Sequence, residues 1–87
     1  MNLRAGSLEA ESFRQQLFAV FVDWQHRTAR CLRAAQASNT ISQQLDCDWL
    51  AEFFWIGWEG AVLRAKLERR SEALHSFSKG FFKLLGE

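Results

Sequence analysis

The sequence predicts an all-α protein, and three observations carry that prediction. The 87 residues include no Pro, no Tyr and only five Gly. A sandwich or barrel needs turn residues about every 8–12 positions, and this chain does not supply them. Long stretches rich in Ala, Leu, Gln, Glu, Lys and Arg favour helix. Apolar residues then recur three and four apart over most of the chain, which is the helical period.

The first helix is expected over about residues 8–37. Ser7 offers an N-cap, with Glu9 and Glu11 in the first turn where the dipole favours anions. Phe13, Leu17, Val20, Phe21, Trp24, Cys31, Leu32 and Ala35 share one face, with Thr28 filling the gap and Phe18 and Val22 widening the stripe. Arg27, Arg30 and Arg33 gather towards the C-terminal end, where cations suit the dipole. Residues 38–45 lack periodicity and read as a connection. Asn39 tolerates the left-handed conformation that ends helices, and Ile41 and Leu45 are expected to fold back onto the core.

The second helix is expected over about 47–70 with Asp46 as its N-cap. From Trp49 to Leu63 it is apolar almost all round, interrupted by Glu52 and Glu59 on one side. Such a helix is buried on more than one face. It is too short for a membrane span, which takes about 20 apolar residues. The third helix is expected over about 72–85, capped by Ser71, with Leu74, Phe77, Phe81, Leu84 and Leu85 in one stripe.

These elements predict one helical domain over residues 1–87, antiparallel in its connections. A chain this short buries only roughly 60% of the surface its unfolded form exposes. A first helix of 30 residues would be about 45 Å long, whereas a compact globule of this size has a radius of gyration of about 12 Å. Apolar surface is therefore left over. Gly57, Ala61 and Ala65 lie four apart on the second helix, with Gly60 beside them, a spacing that lets another backbone approach closely. Large exposed apolar patches mark interfaces, and twofold homodimers are the commonest solution. The last two helices of each chain would then form a four-helix bundle.

No catalytic set is apparent. His26 and His75 have no neighbours at metal-ligand spacing, and neither a phosphate loop nor a nucleophile elbow is present. Glu52 and Glu59 could serve a cationic or hydrogen-bonding ligand beside Trp55 and Trp58, but exposed carboxylates or partners of a Trp indole or an Arg explain them better. Cys47, in the first turn of a helix, is placed where a thiol pKa falls, although Asp46 and Asp48 oppose this. The two cysteines make no disulfide framework. A net charge of +1 gives no electrostatic case for nucleic acid. No apolar signal segment is evident near the N-terminus, so the cytoplasm is the expected compartment. The expectation is a non-enzyme without cofactor or metal.

Taken in order, these motifs resemble the C-terminal domain of TetR/AcrR-family transcriptional regulators over about Glu11 to Leu85. The long first helix corresponds to the helix before the family's dimer bundle. Asn39, Asp46, Leu50 and Ala51 match its turn, acidic helix start and Leu-Ala pair. Trp58, Glu59, Gly60 and Ala61 match a Trp-x-Gly-Ala block, followed by Leu63, Ala65 and Lys66. Leu74, Phe77, Phe81 and Phe82 follow in the expected order. The resemblance implies that the last two helices pair with a second copy. On this chain that points to Phe53, Ile56, Gly57, Gly60, Ala61 and Arg64 on the second helix, and to Phe77, Gly80 and Phe81 on the third. It also implies a small, often hydrophobic effector, with Phe21, Trp24, Phe54 and Trp58 as the part of the pocket wall present. No helix-turn-helix precedes Glu11, so this chain alone is not expected to bind DNA, and a net charge of +1 gives no case for an anionic membrane either. The competing expectation is a stand-alone helical adaptor for other proteins, possible also as a heterodimer with a full-length regulator.

Overall fold

The computed structural model describes residues 3–86, with side chains from Gly6 onward; Met1, Asn2 and Glu87 lie outside the described residues. Three helices are present: α1 (Leu3–Ala37), α2 (Cys47–Glu68) and α3 (Glu72–Leu84). No strand occurs among the described residues, so the all-α class stands.

α1 starts earlier than expected. Ser7 is inside the helix rather than at its cap, and no acidic residue falls in the first turn. Gly6 is tolerated because one interior Gly costs only about 1 kcal/mol against Ala. Arg27, Arg30 and Arg33 also lie ahead of the last turn rather than in it. Arg33 instead reaches Asp48 at 2.7 Å, and Arg27 pairs with Asp23 at 3.0 Å.

Two helix ends share one device. Asn39 (φ 61°) follows α1 and Arg69 (φ 56°) follows α2, both left-handed. The Thr40 N–H then donates to the Ala35 carbonyl at 2.8 Å, and the Arg70 N–H to the Ala65 carbonyl at 3.2 Å. These bonds satisfy carbonyls that a helix end would otherwise leave bare. Because Arg69 takes the left-handed turn, α2 ends at Glu68, short of the expected Arg70. α2 begins as expected, with Asp46 Oδ1 accepting the Trp49 N–H at 3.1 Å. At α3 the Ser71 hydroxyl makes no capping bond; its carbonyl accepts from Leu74 and His75. The α1–α2 connection is pinned by Gln36, whose Nε2 donates to the carbonyls of Ser42 (3.0 Å) and Leu45 (2.9 Å).

α2 is the central element, with α1 packed on it through one end and α3 lying back along it. Pairing runs from Arg33–Asp48 to Thr28–Trp55 along α1 and α2, and from Phe54–Phe81 to Trp58–Phe77 along α2 and α3. Both contacts are antiparallel. The core is Ala29, Leu32, Cys47, Leu50, Ala51 and Phe81, closed by Ile41, Leu45, Phe54, Phe77 and Leu85. Ala29 and Ala51 are each 1% exposed. Their small side chains allow α1 and α2 to meet closely. Gly57 does the same for α3: a Cβ there would stand 2.2 Å from the Phe77 ring. Gly57→Ala should therefore lower stability by about 1–3 kcal/mol, the usual cost of overpacking. An unchanged denaturant midpoint would show that Phe77 can move away freely.

The core occupies only the C-terminal half of α1. Residues 6–20 are all exposed, including Leu8, Phe13, Leu17 and Phe18. Cys31, expected on the buried face, is also exposed. The molecule is accordingly long, 57 × 32 × 13 Å with a radius of gyration of 17.0 Å, against about 12 Å for a compact globule of this length. No described helix is long and apolar enough to cross a membrane.

Candidate functional site

At about 100° per residue, α2 presents two apolar faces on opposite sides. The inner face carries Cys47, Leu50, Ala51, Phe54, Trp55, Trp58 and Ala61, all buried or half-buried. The outer face carries Trp49, Phe53, Ile56, Gly60, Leu63 and Leu67, every one of them exposed. Ile56, Leu63 and Leu67 are 63%, 60% and 77% exposed. Nothing lies within 4 Å of a Cβ built at Gly60 or at Gly80 of α3.

Between α2 and α3 the outer face continues as an open trough. One part, about 540 Å³, has Gly60, Ala61, Ala73 and Ser76 on its floor and Arg64, Glu68, Arg70 and Glu72 at its end. The adjoining part, about 370 Å³, is lined by Phe53, Ser76, Phe77, Gly80, Phe81 and Leu84. The charged end is self-neutralised. Arg64 Nε lies 2.9 Å from Glu68 Oε2, and this hydrogen bond holds the Glu68 carboxyl below the ordinary carboxylate range against a smaller opposing effect of burial.

The residues expected at the dimer interface divide between these faces. Phe53, Ile56, Gly60, Arg64 and Gly80 are on the open side. Gly57 lies beneath Phe77, and Ala61 and Phe81 are only 8% and 7% exposed. Ala61, Phe77 and Phe81 nonetheless touch the trough from below. Trp49, Leu63 and Leu67 belong to the open side and were not singled out from the sequence. Their signal was there: from Trp49 to Leu67 the outer residues are spaced 4-3-4-3-4, the spacing of a coiled-coil seam.

The four residues expected to line an effector wall are brought into one aromatic run by a fifth. Phe21 meets Trp24 edge-on at 5.8 Å, Trp24 meets Trp55 at 4.9 Å, Trp55 meets Phe54 at 5.2 Å, and Phe54 stacks with Trp58 at 6.0 Å. Trp55 is fixed by its indole Nε1–H, which donates to Thr28 Oγ1 at 2.8 Å. Thr28→Val keeps the shape but leaves that donor without its partner, so a loss of about 1–3 kcal/mol is expected. A neutral effect on the denaturant midpoint would mean that water replaces the hydroxyl. Beyond Phe21 the run opens into a shallow hollow of about 190 Å³ beside Arg14, Leu17 and Phe18.

The remaining polar candidates stay apart from this run. Glu52 and Glu59 are exposed, and the indole of Trp55 bonds Thr28 rather than either carboxylate. Glu52 borders a notch of about 260 Å³ with Gln25, His26, Ala29 and Asp48. Among the described residues no group of three His, Cys, Asp or Glu could hold a metal ion. Cys47 is buried, and burial pushes its thiol pKa up. That outweighs Arg33, which lowers it, while Asp48 and Asp46 raise it further. The lowered thiol pKa expected from its place in a first helical turn is thus reversed by desolvation.

A long helix leads into two antiparallel helices, and the central helix is apolar on both faces, one packed and one exposed. The family model of the tetracyclin repressor-like C-terminal domain matches residues 8–81. The chain belongs to that family of transcriptional regulators, and neither the family nor the relatives below are described as enzymes. It is 55% identical over 71 residues to the transcriptional regulator AcuR of Cereibacter sphaeroides, covering 82% of this chain and 32% of that protein. It is 35% identical over 72 residues to the HTH-type transcriptional repressor DhaR of a Mycobacterium species, covering 83% and 36%. The crystal structure of a regulatory protein TetR from Rhodobacter sphaeroides superposes with a TM-score of 0.78 at 56% identity, covering 80% of this chain and 37% of that one. The chain thus spans about a third of the length of the relatives it matches.

Proposed function

We propose that this chain is the dimerisation module, and part of the effector-binding wall, of a TetR-type transcriptional regulator in the cytoplasm. It acts as one helical unit over residues 1–87, with α2 and α3 pairing with a second copy in a four-helix bundle. The observation that carries the reading is the outer face of α2, a row of exposed large apolar residues beside a trough floored by Gly60, Ala73, Ser76 and Gly80. Water contact with that much apolar surface is unfavourable at roughly 25 cal/mol per Å², and the small residues let a second pair of helices come close. The aromatic run from Phe21 to Trp58 suits a small hydrophobic effector, and its exposed Trp24 edge leaves room for one. DNA contact is not assigned to this chain alone. Light scattering over a dilution series tests the proposal. A mass close to twice the chain's 10.1 kDa is expected, and a folded monomer at every concentration would overturn it.

A further inference from the structure

The proposed dimer leaves open how the two copies of α2 are aligned, and the charges on α2 address this. Before Gly60 the helix and its cap carry Asp46, Asp48, Glu52 and Glu59 and no base. After Gly60 come Arg64, Lys66, Arg69 and Arg70; Arg64 is bonded to Glu68 and Arg70 lies beside Glu68 and Glu72, which leaves Lys66 and Arg69 as the bases in excess. A parallel alignment would bring acid to acid and base to base. An antiparallel one brings opposite charges together.

The seam gives the register. Written as a heptad, Trp49, Ile56 and Leu63 occupy one core position, and Phe53, Gly60 and Leu67 the other. In an antiparallel pair each position of one kind faces one of the other kind, so only certain offsets pair every residue. We infer that two copies of α2 lie antiparallel with Trp49 opposite the partner's Leu67, Phe53 opposite the partner's Leu63, and Ile56 opposite the partner's Gly60.

This inference rests on the dimer reading above and adds orientation and register to it. Pairing all six seam residues is what selects this offset, and two further features agree with it. The bulky Ile56 meets the one seam position without a side chain, where nothing lies within 4 Å of a Cβ. Glu52 and Lys66, exposed along one edge of the seam and two heptads apart, come to stand beside each other across the twofold axis, twice per dimer. Charges at this flanking position set partner orientation in coiled coils. The same register sets Glu59 near its own copy at the axis, a like-charge contact that Glu59→Gln should relieve.

Cross-linking tests the register in a Cys31→Ser background, which removes the exposed native thiol and leaves Cys47 buried. The substitutions Trp49→Cys and Leu67→Cys fall on exposed positions, so the fold of the single chain should survive both. Neither variant alone should form a disulfide dimer on mild oxidation, whereas a mixture of the two should. Self-linking of either variant would show a parallel alignment and overturn the inference. Absence of any link in a preparation that light scattering shows to be dimeric would overturn the register while sparing the dimer; a monomer at all concentrations would remove both. As a second readout, Glu52→Lys should weaken the dimer roughly tenfold, because two exposed pairs change sign together. Adding Lys66→Glu in the same chain should restore it. Failure of the double variant to recover would place these charges away from each other.

Discussion

Phe81→Ala is expected to cost about 3–5 kcal/mol, as removing a buried Phe from a core usually does. Phe81 is 7% exposed and is the one buried residue that α3 contributes to the core. Its ring lies 5.0 Å from that of Phe54 on α2 and 6.1 Å from that of Phe77. Truncation therefore removes the most buried of the contacts that hold α3 on α2, leaving those of Phe77 with Phe54 and Trp58. For a domain with total stability of about 5–15 kcal/mol, that loss takes a large share. The measurement is urea denaturation followed by far-UV circular dichroism at one fixed protein concentration, since association shifts apparent stability. The neighbouring Phe82→Ala serves as a control. Phe82 is 49% exposed, and its removal should move the midpoint far less. Equal effects at the two positions would mean that α3 is not anchored through Phe81.

Why the fold was readable from the sequence is clear at α2. Asp46 is a strong cap, the connection ahead of it lacks periodicity, and Asn39 takes the left-handed turn that its side chain tolerates. The boundary at Arg69 was not readable, because Arg carries no preference for that conformation and tertiary context imposes it. α1 shows a different limit. Periodicity found the helix but not its buried face: Val20, Trp24 and Cys31 of the expected stripe are exposed while Ala29 is buried. Burial depends on what lies opposite, and Phe13 and Leu17 also stay exposed. Ala29 was missed for a related reason. A small residue at the closest approach of two helices contributes little apolar signal, yet it decides how near the helices come.

The candidate interface was legible in part for the same physical reason. Gly57 and Gly60 read alike in the sequence, as small residues in an aromatic helix. Three positions turn the helix by about 300°, enough to put Gly57 under Phe77 and Gly60 in the open. Spacing of four was the wrong rule for the outer face. The alternation of four and three, from Trp49 through Gly60 to Leu67, is what separates the open seam from the residues that pack on α3. The aromatic run shows the converse: its four expected members come from the family resemblance, whereas Trp55, the residue joining them in space, is recognisable as such only once Thr28 is seen to hold its indole.

That difference between the two glycines makes Gly60→Leu the most informative substitution for function. Within a single chain the new side chain meets no obstacle, and exchanging an interior Gly for Leu favours the helix by about 0.8–1 kcal/mol. The isolated chain should stay folded with undiminished helicity. Across a twofold interface the same Leu appears twice, in the place the proposed register gives to the partner's Ile56. Overpacking costs about 1–3 kcal/mol at each site, so the dimer should weaken by about 2–6 kcal/mol, a factor of roughly thirty or more. Light scattering at micromolar concentration is expected to fall from twice the chain mass towards 10.1 kDa while circular dichroism is unchanged. Gly57→Leu is the counterpart: it strikes Phe77 inside the chain and should reduce helicity and mass together. A Gly60→Leu protein that keeps its dimer mass on dilution would show that the outer face of α2 is not where two copies meet. The exposed seam would then need a partner other than this chain.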